Sequence, residues 1–405
     1  MSVSPSAGSI PVRPGAITAV LALLSVFPPV ATDMYLSSMD DLGQALNASS
    51  SATELSLSLF FLGLCVGQLI MGPLIDGYGR KGPLLAGVAL FTATSLALLF
   101  IRDVTLFNTL RFFQAVGACA GMVVGRAVVN DLYKGREAAK VLTLLVMLMT
   151  LGPILSPFLG SLMAQAFGWL SIFVTMVAVG AVALGLTRVV LPETLPPERR
   201  AVRPFATALR RAGTLVTRRA YILPALVAAL VQAAMFAFIT GSSGLFQTGF
   251  GLSGTAYGLL FALVAAALML AGKLNGRLLD RFAPAQIVNL GLPLFALSGL
   301  ALVAVSGTSI LWVFVVPLWC AIGLVGLLTA NVMAITMEAC TEGAGIGSAV
   351  LGGLQFAVAF LTSAGVALGG SDSGLSLSLG IFLPALGALA LWSLLRRGDV
   401  AAKPV

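Results

Sequence analysis

Three groups of residues in this chain have types and spacings that could do chemistry, and each lies in or beside a long apolar run. The first is Asp33, in Asp33-Met34-Tyr35-Leu36 near the end of the first run. A carboxylate in a membrane span costs about 2.5 to 3.5 kcal/mol on insertion scales, so such residues usually face a cavity and have a function. The proton affinity of a carboxyl depends on its desolvation and on neighbouring charge. A site whose surroundings change as it opens or fills can therefore take up and release a proton, and Tyr35 stands beside it as a candidate substrate contact. The plainer reading is a solvated charge at the membrane margin, with the span ending near Val30.

The second group is Arg111-Phe-Phe-Gln114-Ala-Val-Gly117. A guanidinium keeps its charge, so inside a span it must find a carboxylate, a carbonyl dipole or water. Arg111, Ala115, Ala118, Cys119 and Met122 recur at three- and four-residue spacing and share a helix face, with Gln114 beside them. Arg111 either influences Asp33, directly or through water, or makes a structural hydrogen bond to backbone.

The third group is Gly72-Pro-Leu-Ile-Asp76-Gly-Tyr-Gly79-Arg80-Lys81, where charge first gathers. Its order of Gly, Leu, Asp and aromatic returns in Gly276-Arg-Leu-Leu-Asp280-Arg-Phe282, about half the chain later. A polar turn repeated at half-length between apolar runs points to an internally duplicated membrane protein.

The elements that must position these residues follow from composition. Hydrophobic residues make up 59% of 405 and charged residues 9%, with a mean hydropathy of +1.04, which excludes an ordinary water-soluble globule. The net charge of +8 reflects membrane topology rather than nucleic-acid binding. Cysteines 65, 119, 320 and 340 are scattered without a CxxC pair, and histidine is absent. Neither a metal site nor a disulfide framework is expected, and no cleavable leader is evident.

After a polar tail at 1–14, apolar runs lie at about 16–36, 54–74, 83–101, 105–129, 138–164 and 167–190. The segment after the first run, to Thr53, holds acids but no Lys or Arg and is expected to be an external loop. A polar break from Pro192 to Arg219 carries seven arginines and four prolines. Six further runs follow, at about 220–243, 254–275, 284–306, 309–335, 343–367 and 375–395. Each is long enough to cross a hydrocarbon core of roughly 30 Å. The expected organisation is a bundle at 15–191, a cytoplasmic linker at 192–218, a second bundle at 219–396 and a tail at 397–405. With the N-terminus in the cytoplasm, that side receives nearly every Lys and Arg, from Arg13 to Lys403, and the opposite side keeps Arg102. This asymmetry predicts that both termini are cytoplasmic.

These motifs resemble the major facilitator superfamily. Asp76, Gly79, Arg80 and Lys81 stand at the signature positions of its loop between helices two and three. Arg111 to Gly117 matches its fourth-helix signature, and Gly152-Pro153-Ile-Leu-Ser-Pro157-Phe-Leu-Gly160 is similar to its antiporter motif. With Asp33 to Leu36 and Gly125-Arg126-Ala-Val-Val-Asn-Asp131-Leu-Tyr133, the chain resembles the Bcr/CflA branch of drug:proton antiporters. Ser37 stands where that branch usually has proline, and Asn130 where it often has a basic residue, which blurs the substrate more than the class.

The resemblance implies an all-α integral membrane protein, its twelve transmembrane helices forming two six-helix bundles. It also implies a monomeric inner-membrane antiporter with no cofactor and no nucleic-acid partner, exporting a chloramphenicol- or bicyclomycin-like compound in exchange for protons. Asp33 and Arg111 would couple the proton, and the Arg111 face would line the central cavity. Gly72, Asp76, Gly79, Arg80, Lys81, Asp131 and Arg136 would form a cytoplasmic gate latching the two halves. Gly152, Pro153, Pro157 and Gly160 would form a close interdomain contact or a hinge. In the second half, position alone nominates Gln232, Asn331 and Gln355 as polar lining and Met235, Phe236, Phe238 and Phe356 as apolar wall. A proton-coupled importer on the same fold is the main alternative. A metal-dependent membrane enzyme is remote, because the external acids Asp33, Asp40 and Asp41 lie on the wrong side for a cytoplasmic substrate. An ATP-driven pump lacks its phosphate loop.

Overall fold

The computed structural model describes residues 14–340, 344–370 and 374–401; Arg13, Lys403 and both extreme tails lie outside them. In lipid every backbone N–H and C=O must be satisfied within its own segment, so apolar runs of this length fold as helices. Among the described residues eleven helices are long and apolar enough to cross a membrane, and a bent pair makes the twelfth. In chain order they are span 1 (Gly15–Ala45), span 2 (Ser50–Tyr78), span 3 (Lys81–Leu98), span 4 (Val104–Leu132), span 5 (Gly135–Pro153 with Leu155–Phe167) and span 6 (Leu170–Val190). The second set is span 7 (Arg219–Gly249), span 8 (Gly254–Leu279), span 9 (Pro284–Ala304), span 10 (Leu311–Glu338), span 11 (Gly345–Leu368) and span 12 (Gly374–Arg396).

Spans 1 to 6 pack mainly on one another, span 2 on span 4 and span 3 on spans 4 and 6. In the second set span 7 packs on spans 10, 11 and 12, span 8 on span 10, and span 9 on spans 10 and 12. Two main contacts join the sets, span 2 against span 11 and span 5 against span 8, and smaller ones bring span 7 onto spans 1 and 2 and span 8 onto span 1. The result is two six-helix bundles meeting along two seams. The bundle end that carries residues 192–218 is called the linker face below, and the opposite end the far face.

Two expectations need correction. Span 1 does not stop near Leu36: it breaks at Val26, passes through a short 3-10 turn at Leu36–Ser38 and resumes as a helix over Met39–Ala45. The acids before Thr53 therefore belong to the span, and only a short turn around Asn47 links it to span 2. Paired prolines Pro28 and Pro29 withhold two N–H donors where the helix restarts. The linker is also more than a polar connector, since Pro204–Thr217 forms a helix that touches spans 2, 7 and 11.

Small residues set the closest approaches. A Cβ on Gly63 would stand 2.7 Å from that of Ala115, and one on Gly67 2.7 Å from that of Cys119. Spans 2 and 4 thus meet backbone to backbone. Span 5 bends by 48° beside Pro153, where proline removes an intrahelical hydrogen bond. Gly152 faces the Pro29 ring and Gly160 faces the Met34 backbone, so two of the four motif residues admit span 1 of the same bundle. The interdomain contact falls instead at Pro157 and Phe158, whose backbone meets Gly258 of span 8.

Candidate functional site

Asp33 is 1% exposed, and its Oδ1 has no hydrogen-bond partner. The extended span 1 places it inside the bundle, which removes the reading of a charge at the membrane margin. Arg111, fully buried, enters from span 4. Its guanidinium donates to the carbonyl oxygen of Ala31 at 2.7 Å and to Gln114 Oε1. Tyr35 and Phe60 hold it between their rings, each centroid 4.5 Å away. A cation between aromatic faces is attracted by their quadrupoles, most strongly where water is excluded.

A chain of polar contacts fixes this group. Gln114 Nε2 donates to Ser95 Oγ at 2.7 Å, and the Tyr35 hydroxyl shares a hydrogen bond of 2.8 Å with Ser56 Oγ. No ion pair joins Arg111 to Asp33; the described ion pairs are all at the linker face. Of the two sequence readings of Arg111, the one observed is the hydrogen bond to backbone. That bond fastens the guanidinium to the helix segment carrying Asp33.

The face of span 4 below Arg111 is not a cavity wall throughout. Ala115 and Cys119 are consumed by the contact with Gly63 and Gly67, and Ala118 is fully buried. Met122 is 7% exposed. One turn further, Arg126 is exposed.

The two bundles close over the far face. Ser243 Oγ of span 7 donates to the carbonyl oxygen of Leu36 at 2.7 Å, and Gln247 reaches the same oxygen at 3.3 Å. Gln165 of span 5 bonds Thr255 of span 8. Deeper, Ser363 of span 11 bonds both Ser58 of span 2 and Thr240 of span 7, each at 2.7 Å. Below them Phe61 meets Phe236 at 4.6 Å and Phe236 meets Phe356 at 5.8 Å. Phe236 thus packs against the first bundle and against Phe356, and Met235 beside it is buried. Phe238 instead stacks on Phe261 within the second bundle.

Of the expected polar lining, Asn331 is 1% exposed and donates to Asn275 Oδ1 at 2.6 Å, so it ties span 10 to span 8. Gln232 accepts from Thr329 at 3.2 Å, and Gln355 is half-buried.

At the linker face Arg80 joins Asp76 at 2.7 Å and Asp131 at 3.0 Å. These two carboxylates hold its guanidinium above the usual range against the opposing effect of burial. Thr194 Oγ1 also donates to Asp131, at 2.8 Å. Glu193 accepts from the N–H groups of Arg80, Leu195 and Lys81 and so caps span 3. Partial burial pushes the Glu193 carboxyl up, but these donors and Arg200 hold it below the usual carboxylate range. Lys81 Nζ donates to the Arg188 carbonyl oxygen at 2.8 Å. Gly79 ends span 2 at φ 94°, a backbone shape that favours glycine, and lies against Glu193.

The expected gate is therefore only partly assembled. Its charges fasten the first bundle to its own linker, and among the described ion pairs none joins the two halves. Gly72 has open space around it, and Arg136 is exposed apart from the described ion pairs. Glu193, Thr194 and Arg200 were not anticipated. Neither was Glu54, 2% exposed at the far end of span 2. Its sequence signal is an acid in the first turns of an apolar run.

Two six-helix bundles closed over one face, with a buried carboxyl and a clamped cation in the interior of one, define a membrane transporter rather than an enzyme. The chain belongs to the Major Facilitator Superfamily, whose model matches residues 21–369. It is 28% identical over 340 residues to a bicyclomycin resistance protein homolog of Haemophilus influenzae, covering 84% of this chain and 85% of that one. It is 29% identical over 341 residues to a chloramphenicol resistance protein of Pseudomonas aeruginosa, covering 81% and 77%. An uncharacterized MFS-type transporter of Bacillus subtilis, YdgK, is 32% identical over 264 residues, 65% of this chain and 66% of that one. Among solved structures the fold is similar to a D-xylose-proton symporter, with TM-score 0.73, 15% identity and coverage of 93% and 97%. It is also similar to a bacterial Spinster homolog captured inward-facing, with TM-score 0.71, 15% identity and coverage of 98% and 100%.

Proposed function

We propose that this protein exports a small, moderately apolar drug or metabolite, of chloramphenicol or bicyclomycin type, in exchange for protons. The observation that carries the reading is the pair formed by Asp33, with an unpartnered Oδ1, and Arg111, clamped two residues away on the same span-1 segment. A buried carboxyl with one oxygen free of fixed partners changes charge at small structural cost, while the clamped guanidinium holds its segment of span 1 in place. Protonation of Asp33 alters the net charge of the first bundle's interior and so the relative energies of the far-open and far-closed arrangements. Substrate enters from the linker side between the bundles, near Phe236 and Phe356, and leaves when the far seam opens.

The names of the resistance proteins among the relatives support the substrate class, and the Gly152 to Gly160 signature supports export over import. Lys and Arg crowd the linker face, which supports a cytoplasmic location for that face and for both termini in the inner membrane of a bacterium. The protein works as a monomer in this reading, each half supplying one wall of the path. The test is uptake of labelled chloramphenicol into everted membrane vesicles under an imposed proton gradient. Accumulation that collapses on adding a protonophore is expected. Accumulation indifferent to the gradient, or its absence across a panel of such drugs, would overturn the reading.

A further inference from the structure

The linker helix, Pro204–Thr217, is held at both ends by the ends of membrane spans. At its start a Cβ on Gly77 would lie 2.6 Å from the Pro204 ring, and the Ala201 N–H donates to the Asp76 carbonyl oxygen at 2.8 Å. Both partners belong to the last turn of span 2, which stops at Tyr78. At the other end only Arg218 separates Thr217 from span 7, which begins at Arg219. The helix has 14 residues and is about 21 Å long. Pinned at span ends on both sides, it lies across the linker face, in the layer where the spans leave the hydrocarbon.

One side of this helix is used against protein: Pro204 meets span 2, Leu215 is fully buried, and spans 7 and 11 are also touched. Another side is apolar and uncovered. Phe205, Leu209 and Val216 follow at spacings of four and seven residues and so form one stripe. Leu209 is 77% exposed and the other two 47% each. The charges around the stripe have one sign. The helix contains no Asp or Glu; Arg210 and Arg211 stand off the stripe, and Arg203 and Arg219 flank the helix, all four exposed. The described ion pairs engage none of them. Of the linker's acids, Glu193 already accepts from the Arg80 and Lys81 N–H groups, which leaves Glu198. An apolar stripe beside exposed arginines is the pattern of a helix seated in an anionic lipid surface.

We propose that the linker helix is an interfacial anchor that recognises anionic phospholipid. Phe205, Leu209 and Val216 enter the boundary of the acyl chains, and Arg203, Arg210, Arg211 and Arg219 hold the phosphate headgroups. A guanidinium suits phosphate because its N–H groups form a planar fork that donates to two oxygens at once. A soluble phosphate compound would meet the arginines and leave the stripe in water, so a lipid is the occupant that uses both. Because the helix touches span 2 of one bundle and spans 7 and 11 of the other, lipid bound there bears on both halves of the transporter together. Neither Asp33 nor the exported substrate takes part in this contact.

The experiment is fluorescence quenching on the full-length protein in vesicles of equimolar phosphatidylcholine and phosphatidylglycerol. A fluorophore is attached at Leu209→Cys in a background carrying Cys320→Ser and Cys340→Ser. Acyl-chain nitroxides on phosphatidylglycerol and on phosphatidylcholine are compared at equal mole fraction. Both lipids are expected to quench the label, with phosphatidylglycerol enriched around it about fivefold or more, the scale set by one arginine at an anionic surface. Arg210→Gln with Arg211→Gln should remove most of that preference while the label stays in lipid. Phe205→Ser with Val216→Ser should weaken quenching by both lipids and open the label to aqueous iodide. Quenching by iodide and by neither lipid, with the helix otherwise unchanged, would overturn the anchor. Shielding from iodide and from both lipids would overturn it too, because a second copy or another protein would then cover the stripe. Equal quenching by the two lipids before the arginines are changed would overturn the recognition of anionic headgroups.

Discussion

Arg111 on span 4 donates to the main-chain oxygen of Ala31 on span 1 at 2.7 Å, two residues before Asp33. The cation is thereby fixed to the broken part of span 1 that carries Asp33. Replacing Arg111 by Lys keeps the charge but gives up the planar fork and the stack between Tyr35 and Phe60. One charged hydrogen bond is worth about 1.5 to 3 kcal/mol, so Arg111→Lys should lower the initial transport rate roughly ten- to a hundredfold. Rates in vesicles matched for transporter content check this, and a wild-type rate would show that the clamp is idle.

The same segment depends on a second close approach. A Cβ at Gly160 would strike the Met34 carbonyl. Gly160→Leu should therefore sharply reduce the yield of folded protein and its melting temperature in detergent. Gly185 in span 6 has open space around it, so Gly185→Ala should be neutral or stabilising by up to about 1 kcal/mol. Equal behaviour of the two variants would refute the packing assignment.

The far seam makes a separate prediction. Ser243→Ala deletes a bond worth about 1 kcal/mol to the Leu36 carbonyl, which should raise the far-open population about fivefold. Thiol labelling at an introduced Ser37→Cys, in a background lacking the accessible Cys320 and Cys340, reads that population. Unchanged labelling would mean that the seam is held elsewhere.

At the linker face the sign of the pH effect follows from Glu193. Its carboxyl is held below the usual range, so linker docking is fully stabilised above the ordinary glutamate value of about 4.3 and is lost as pH falls below it. A fluorophore on the linker should report undocking only in that acidic range. Glu193→Gln should undock at neutral pH and speed tryptic cleavage at Arg199 and Arg200. A linker that stays docked in the variant would contradict the cap.

Much of this was legible in the sequence, for physical reasons. Run length against bilayer thickness gave twelve spans, and the cost of burying charge singled out Asp33 and Arg111. Side-chain neighbours were less legible. Helical spacing put Ala115 and Cys119 on the Arg111 face, but only Gly63 and Gly67, spaced one turn apart on span 2, reveal which helix covers that face. Glu54 escaped notice because the apolar run begins at it, and a carboxyl at the start of a run reads as a solvated end. Asp76, Arg80 and Asp131 do meet. Their third partner, the linker around Glu193, lies over a hundred residues away, beyond any local pattern.

In the proposed mechanism Asp33 exchanges its proton for substrate. Proton release from everted vesicles on adding chloramphenicol and related drugs, compared between wild type and Asp33→Asn, tests it most directly. Drug-dependent release is expected in wild type and none in the variant, with both proteins present in equal amount. Equal release from the two would contradict it and move the coupling site elsewhere.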